Sequence, residues 1–217
     1  EMFLLQKQLN DSTNGKNWEL GINKFNKEIN WLRCIHMEVA ELIDSTPWKH
    51  WKNINSTPDM NNIHVELVDI WHFLMSYILQ ETNVPKAVSL VNTHCIYEAA
   101  QNIDVNLIIK ESEKLSYIAL AIETKNMPSF SGIERFIEQF FRACKSAGLS
   151  FSWLQKLYIG KNCLNQFRQD NGYKEGTYKK VWNGSEDNVV MVELLKTIED
   201  VSFDELYEQL KLKYNQN

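Results

Sequence analysis

Apolar residues recur at intervals of three and four along most of the chain, which is the spacing of helices that bury one face. The predicted helices cover residues 2–10, 25–45, 62–80, three segments within 85–147, one or two within 150–170, 187–195 and 204–214. No segment alternates apolar and polar residues as a half-buried strand does. Glycine and proline are scarce, with eight and four residues among 217. We therefore expect an all-α protein built as a multi-helix bundle.

Length and composition narrow the class of protein further. A chain of 217 residues fits a single domain over residues 1–217. The net charge of −5 argues against a general nucleic-acid binder, which usually carries a basic face. The four cysteines are scattered without zinc-site spacing, so we expect reduced thiols in a cytoplasmic protein. No apolar run is long enough to span a bilayer, and we expect no membrane partner.

Two pairs of carboxylates lie on two of the predicted helices. Glu38 and Glu41 are three residues apart on the first helix, and Glu66 and Asp69 have the same spacing on the second. Each pair therefore shares one helical face, where like charges repel each other. The flanking residues place these carboxylates at the border of the buried stripe, where desolvation raises carboxyl pKa values. Either pair alone is common on soluble helices, but four oxygen ligands on two helices suit a hard cation, Mg²⁺ or Mn²⁺.

A di-iron centre is the alternative within metal chemistry. Asp69 and His72 give one carboxylate-x-x-His step, as in helical di-iron proteins. The matching step on the other helix ends in Glu41 rather than histidine. We therefore interpret His72 as a packing histidine or as one that supports a metal ligand.

A basic segment with several glycines begins at Lys161 in this otherwise acidic chain. Lys161, Asn165 and Arg168 fall on one helical face. Lys174 and Lys179 follow between glycines, where backbone N–H groups can approach an anion closely. A solvated loop would look similar when taken alone. Combined with a four-carboxylate metal site, the segment predicts a clamp for a triphosphate and metal-assisted attack of water on phosphorus.

Three stretches of the sequence carry a family pattern. They are Leu9-Asn10-Asp11-x-Thr13-Asn14-Gly15-x-Asn17-Trp18, then Glu38-x-x-Glu41-Leu42-Ile43-Asp44-Ser45 with Trp48-Lys49-His50-Trp51-Lys52, and finally Tyr158-Ile159-Gly160-Lys161-Asn162 through Gly172-Tyr173-Lys174 to Trp182-Asn183-Gly184-x-Glu186-Asp187-Asn188. With them the chain resembles the dimeric all-α dUTPases of the Campylobacter and trypanosomatid type, within the all-α NTP pyrophosphatases. The resemblance implies a core at residues 1–80 and 148–217 and a variable helical segment at about 81–147.

This resemblance also implies an activity and a set of site residues. The activity is hydrolysis of dUTP and dUDP between the α and β phosphates to give dUMP, by a homodimer. Mg²⁺ would be bound by Glu38, Glu41, Glu66 and Asp69, with Glu38 as the base for the attacking water. The implied substrate-binding residues are Gln6, Asn10, Trp48, Lys49, Trp51, Phe73, Lys161, Asn165, Arg168, Tyr173, Lys174, Lys179 and Asn188.

The resemblance also implies a role for each residue of that set. Gln6 and Asn10 would read the uracil edge, because an amide offers a donor and an acceptor together. Trp48 or Trp51, together with Phe73, would pack on the base and sugar, and the lysine, arginine and asparagine residues of the basic segment would hold phosphates.

Two other functions stay open at this point. A related all-α pyrophosphatase could act on another nucleotide such as dCTP. A non-enzymatic helical metal-binding protein is more remote, because it leaves the basic segment unexplained.

Overall fold

Helices account for most of the described chain, which comprises residues 1–52, 55–199 and 201–216 of a computed structural model, without the side chains of residues 129–131. The α-helices are α1 (Met2–Asn14), α2 (Trp31–Asp44), α3 (Met60–Glu81), α4 (Val84–Asn92), α5 (Val105–Glu123), α6 (Ser129–Ser146), α7 (Phe151–Asp170), α8 (Asp187–Thr197) and α9 (Phe203–Asn215). A 3-10 helix covers Trp18–Leu20, and two short strands, β1 (Val181–Trp182) and β2 (Ser185–Glu186), form a hairpin. The expected all-α class is confirmed.

The chain divides into two compact units. One comprises Glu1 and Phe3–Phe151, and the other comprises Met2 and Ser152–Asn217. Helices α2 to α6 belong to the first unit, whereas the hairpin, α8 and α9 belong to the second. The expected single domain, with a core at 1–80 and 148–217 and a variable segment at about 81–147, stays a prediction. Within the described part of the chain, no helix is long and apolar enough to cross a membrane.

Helix α3 is the central element of the first unit, because its buried residues face all sides of the helix. It packs against α2, α4, α6 and the 3-10 helix, while α5 packs against α2 and α6. Trp71 of α3 stacks on Phe140 with ring centroids 4.8 Å apart and contacts the edge of Phe3. The predicted helix over residues 62–80 is therefore confirmed, with one or two further residues at each end.

Helix α2 begins at Trp31, later than the residue 25 that the sequence predicts. The preceding residues form a turn, in which the Asn23 side-chain oxygen accepts hydrogen bonds from two following backbone N–H groups. Asn26 has a φ of 58° in this turn. Side chains that bond the local backbone in this way compete with helical hydrogen bonds. Asn30 then caps the helix by accepting the backbone N–H of Arg33 at 2.8 Å.

Helix α1 is longer than predicted and ends at Asn14 rather than residue 10. The polar residues after residue 9 look like a turn in the sequence, but the side chains of Asn10 and Asp11 bond distant partners. Asn10 Nδ2 donates to Ser76 Oγ at 2.9 Å, and Asp11 Oδ1 accepts the indole N–H of Trp18 at 2.9 Å. The chain leaves the helix only at Gly15, whose φ of 92° suits glycine.

The second unit contains a small hairpin that the sequence pattern did not predict. Asn183 and Gly184 connect β1 and β2, and their φ values of 49° and 85° are both positive, as in a type I′ turn. Strands of two residues are too short to show alternation, so the Asn-Gly pair was the only available signal. Residues 150–170 form one helix, α7, rather than two.

Asn30 provides a test of where α2 begins. We expect Asn30→Ala to lower the free energy of unfolding by about 1 kcal/mol, because a capping hydrogen bond is lost. A helix that started at residue 25 would place Asn30 in its interior, where alanine is the better residue and stability would increase. Denaturant unfolding of the two proteins measures the sign directly.

Candidate functional site

Three of the four predicted metal ligands converge where α2 packs against α3. One carboxylate oxygen each from Glu38, Glu66 and Asp69 lies within 4.8 Å of the other two. Glu66 and Asp69 are one turn apart on α3, so they present their carboxylates on the same face. Glu38 reaches that face from α2, whose buried stripe of Ile35, Val39 and Leu42 holds it against α3.

The electrostatics of this acidic group match its geometry. Burial raises the pKa of the Glu38 carboxyl to about 8, and the negative charges of Asp69, Glu66 and Glu41 act in the same direction. The raised pKa that the sequence predicted for these carboxylates is thus confirmed for Glu38. Glu66 is 7 % exposed, whereas Glu41 lies on the exposed side of α2 and outside the group of three.

Asn62 is a neighbour of this group that sequence reasoning missed. Its Nδ2 donates to Glu66 Oε1 at 3.0 Å and to Ser45 Oγ at 2.7 Å. Ser45 follows the last residue of α2, so Asn62 joins the end of α2 to a carboxylate of α3. The sequence signal was its position one turn before Glu66, which is weak because asparagine is common near helix starts.

The residues of the acidic group fit a hard divalent cation. They offer only carboxylate oxygens, the ligands that Mg²⁺ and Mn²⁺ prefer. Burial and their mutual repulsion raise the pKa of Glu38, and a cation between them would remove the repulsion. Among the described residues, His72 is not a member of the acidic group, so it does not complete a di-iron ligand set there; its Nδ1 lies 2.7 Å from Gln6 Oε1.

The two predicted uracil-reading residues belong to a buried polar network between α1 and α3. Gln6 and Asn10 are both 3 % exposed, and the Nδ2 or Nε2 of each donates to Ser76 Oγ at 2.9 Å. Gln6 Nε2 also lies 3.3 Å from Asn10 Oδ1. The network fixes both amide groups. Its other members are Ser76, which the sequence did not single out, and His72, which the sequence analysis interpreted as a packing or supporting histidine. A base could contact these amides only if neighbouring side chains move aside.

The aromatic connector after α2 is held by Asp44. The indole N–H of Trp48 and the Nζ of Lys49 both donate to Asp44 Oδ1, at 3.0 and 2.6 Å. Trp48 packs edge-on against Trp51, which is 62 % exposed. These two indoles therefore offer partly exposed flat surfaces.

Phe73, the third aromatic residue predicted to contact the nucleotide, lies on α3. Its ring stacks on Trp31 with centroids 6.0 Å apart, and Trp31 in turn contacts the edge of the buried Trp18. Phe73 is half-buried, so part of its ring is already used in packing.

In the second unit, the residues predicted to bind phosphates form an ordered group. Asn188 Oδ1 accepts from Lys161 Nζ at 3.0 Å and from Arg168 Nη2 at 3.3 Å. Arg168 also donates to Asn165 Oδ1 at 3.3 Å. The strongest partner of Arg168 is Asp187, which the sequence analysis did not assign to the site. The carboxylate of Asp187 accepts two hydrogen bonds from the guanidinium at 2.8 Å.

The remaining predicted phosphate ligands are more exposed. Tyr173, Lys174 and Lys179 lie on the loop between α7 and β1, and all three side chains reach solvent. The guanidinium carbon of Arg168 lies 5.8 Å from the ring centroid of Tyr173, within range of a cation–π interaction. The loop is anchored by Tyr178, which stacks on Tyr214 of α9 with centroids 5.5 Å apart.

The sequence was compared with known protein families and with curated proteins. A family model described as dUTPase matches residues 1–173 of the 217-residue chain. The match includes the acidic group, the aromatic connector and α7, and it ends within the basic segment before Asp187 and Asn188. A comparison with curated proteins finds no match.

Glu38 gives a test of the electrostatics in metal-free protein. Glu38→Gln removes a charge that the folded state repels, so we expect a melting temperature about 2–4 °C above wild type at pH 9 in EDTA. That shift corresponds to about 1 kcal/mol after solvent screening of a half-buried group. The pKa of the Glu38 carboxyl is raised to about 8 in the folded protein and is lower in the unfolded chain. The wild type therefore loses about this much stability as the pH rises from the unfolded pKa through pH 8. The advantage of the variant should therefore vanish near pH 4.

Glu113→Gln is the matched control, since Glu113 is an exposed glutamate on α5 in the same unit. We expect it to melt as wild type at every pH. Equal melting temperatures of the Glu38→Gln variant and wild type at pH 9 would show that the three carboxylates do not repel one another in solution.

Proposed function

The chain belongs to the dUTPase family, and we propose that it hydrolyses dUTP and dUDP between the α and β phosphates, with dUMP as a product. Family membership supports dUTP pyrophosphatase activity. The observation that carries the finer proposal is the convergence of Glu38, Glu66 and Asp69 within 4.8 Å of one another. Hydrolysis of dUTP at this position consumes one water and releases dUMP and pyrophosphate.

We propose that Glu38, Glu66 and Asp69 hold Mg²⁺, with Mn²⁺ as a substitute, and that Glu41 adds a further carboxylate from the same turn of α2. When bound, the ion would screen the triphosphate and lower the pKa of a bound water. Asn62 supports this role, because its hydrogen bond fixes the Glu66 carboxylate before any ligand arrives.

Glu38 is the carboxylate that we assign as the base. It reaches the acidic group from α2, whereas the other two carboxylates share one face of α3. It would accept the proton of the attacking water while the bond between the α phosphorus and the bridging oxygen breaks. Glu66 and Asp69 would act as metal ligands on the facing helix.

Recognition of the base would use the buried network and the aromatic connector. We assign Gln6 and Asn10 to the uracil edge, because Ser76 and His72 fix their amide groups in one orientation. Trp48 or Trp51 supplies a partly exposed ring for the base, with Lys49 beside it. Phe73 would contact the sugar or the base from α3.

Recognition of the phosphates would use the second unit. Lys161, Arg168 and Asn188 already form one hydrogen-bonded group, and Asn165 extends it along α7. The Asn188 carbonyl oxygen faces the two cations, so its amide N–H₂ is the group left to donate to an anion. Tyr173, Lys174 and Lys179 would add contacts from the exposed loop.

Other proposals concern the context of the enzyme. The resemblance and the composition predict a homodimer, a cytoplasmic location and no nucleic-acid partner, and all three stay predictions. Preference for dCTP is the competing activity, because the same acidic group would serve either nucleotide. A metal-binding protein without catalysis is weakened by the match to an enzyme family.

A substrate panel tests the proposed activity. We expect Mg²⁺-dependent release of dUMP from dUTP and dUDP, with much slower turnover of dCTP and dTTP, measured by chromatography of the products. Glu38→Gln should lower kcat by at least about a hundredfold. A clear preference for dCTP would select the competing activity, and no turnover of any nucleotide would refute the enzyme proposal.

The assigned roles of acidic and basic residues are separable by kinetics. Asn188→Ala should raise KM for dUTP by about tenfold, because a donor to the phosphates is lost, and should lower kcat less. Glu38→Gln should show the opposite pattern, with a large fall in kcat. Asn106→Ala is the control, since Asn106 is exposed and is also the second residue of its helix, α5. The reverse order of effects on KM would contradict the assignment.

A further inference from the structure

Among the described charged residues of the second unit, Asp187 is the most deeply buried, with 0 % of its surface exposed. Its carboxylate accepts from Arg168 Nε and Nη2, both at 2.8 Å. It also accepts the phenolic O–H of Tyr178 at 2.8 Å and the backbone N–H of Asn188 at 2.8 Å. One carboxylate thus joins α7, the loop before β1 and the first turn of α8.

These contacts determine the orientation of the Arg168 guanidinium. Two parallel hydrogen bonds to a carboxylate fix both the position and the plane of a guanidinium. A buried charge that loses its partner is strongly unfavourable, so Arg168 is held in place. Burial and the charge of Asp187 also raise the pKa of Tyr178, which keeps this phenol a hydrogen-bond donor.

The same arrangement extends to the other phosphate ligands. Asn188 follows Asp187 in α8, and its Oδ1 accepts from Arg168 at 3.3 Å and from Lys161 at 3.0 Å. The positions of Lys161, Arg168 and Asn188 therefore depend, directly or through one neighbour, on the Asp187 carboxylate.

We propose that Asp187 is a positioning residue, which orders Arg168, Asn188 and Lys161 for the polyphosphate chain of the substrate without contacting it. The inference rests on the proposed function, because it concerns how that substrate is held. The direction of the change in anion binding distinguishes positioning by Asp187 from simple electrostatics. A negative charge near a phosphate site repels the anion, so neutralising Asp187 should strengthen binding if charge alone matters. If Asp187 acts by positioning, the same change should weaken binding.

Two variants and two controls test this difference. Asp187→Asn keeps the shape of the side chain and one acceptor oxygen but removes the paired acceptor geometry. Tyr178→Phe removes only one hydrogen bond to Asp187 and leaves the ion pair with Arg168 in place. Tyr207→Phe is the matched control, because Tyr207 donates an equivalent hydrogen bond to Asp170 Oδ2 at 2.7 Å in the same unit. Asp170→Asn is the corresponding control for loss of a carboxylate.

The first readout is calorimetric binding of inorganic tripolyphosphate in the presence of Mg²⁺, which requires no turnover. We expect Asp187→Asn to weaken binding by about tenfold and Tyr178→Phe by about threefold, since hydrogen bonds to charged groups are lost. Both controls should bind as wild type. The second readout is the series dUMP, dUDP and dUTP, in which the loss of affinity or rise in KM should grow with the number of phosphates while kcat changes less.

Wild-type or tighter binding of tripolyphosphate by Asp187→Asn would overturn the inference, and so would an equal loss for dUMP and dUTP. If Asp187→Asn does not fold, Tyr178→Phe decides, and unchanged binding by that variant counts against positioning. Failure of wild type to hydrolyse dUTP would refute the proposed function instead. The tripolyphosphate comparison would still measure whether Asp187 orders an anion site.

Discussion

Repulsion among three carboxylates is the constraint on which the account of the first unit depends. Two packed helices hold oxygens of Glu38, Glu66 and Asp69 within 4.8 Å of one another, and burial prevents water from screening them fully. The folded protein tolerates this by raising the pKa of Glu38. A divalent cation would convert the repulsion into attraction, so the same arrangement that is unfavourable in metal-free protein favours metal binding.

In the second unit, attraction between opposite charges replaces repulsion between like charges. There a buried carboxylate, Asp187, is fully hydrogen-bonded and orders the cation Arg168 and its neighbours. A buried ion pair of this kind contributes little net stability, because desolvation offsets the attraction, but it fixes geometry. The first unit therefore offers carboxylate ligands for a cation, and the second unit offers ordered donors for an anion.

Much of the fold and part of the site were predictable from the sequence. Helical periodicity predicted α3 through α6, because that signal is local. The spacing within the pairs Glu38–Glu41 and Glu66–Asp69 predicted a shared metal site, and the structure brings three of these four carboxylates together. The predicted start of α2 and the predicted end of α1 were wrong. Asparagine side chains bond either the local backbone or distant partners, and the sequence does not distinguish these two cases. Asn62 and Asp187 were missed for the same reason. Both residues act through tertiary hydrogen bonds, and a carboxylate among lysine and arginine residues has the opposite charge to the phosphate ligands that the sequence search sought.

A crystal structure with Mn²⁺ and α,β-imido-dUTP, recorded with anomalous scattering at the manganese edge, tests the central claim most directly. The account predicts a manganese peak bound by Glu38, Glu66 and Asp69 and in contact with the phosphate chain of the nucleotide. It also predicts that Lys161 and Asn188 donate to the same phosphate chain. A bound nucleotide whose manganese lies away from these three carboxylates would contradict the account.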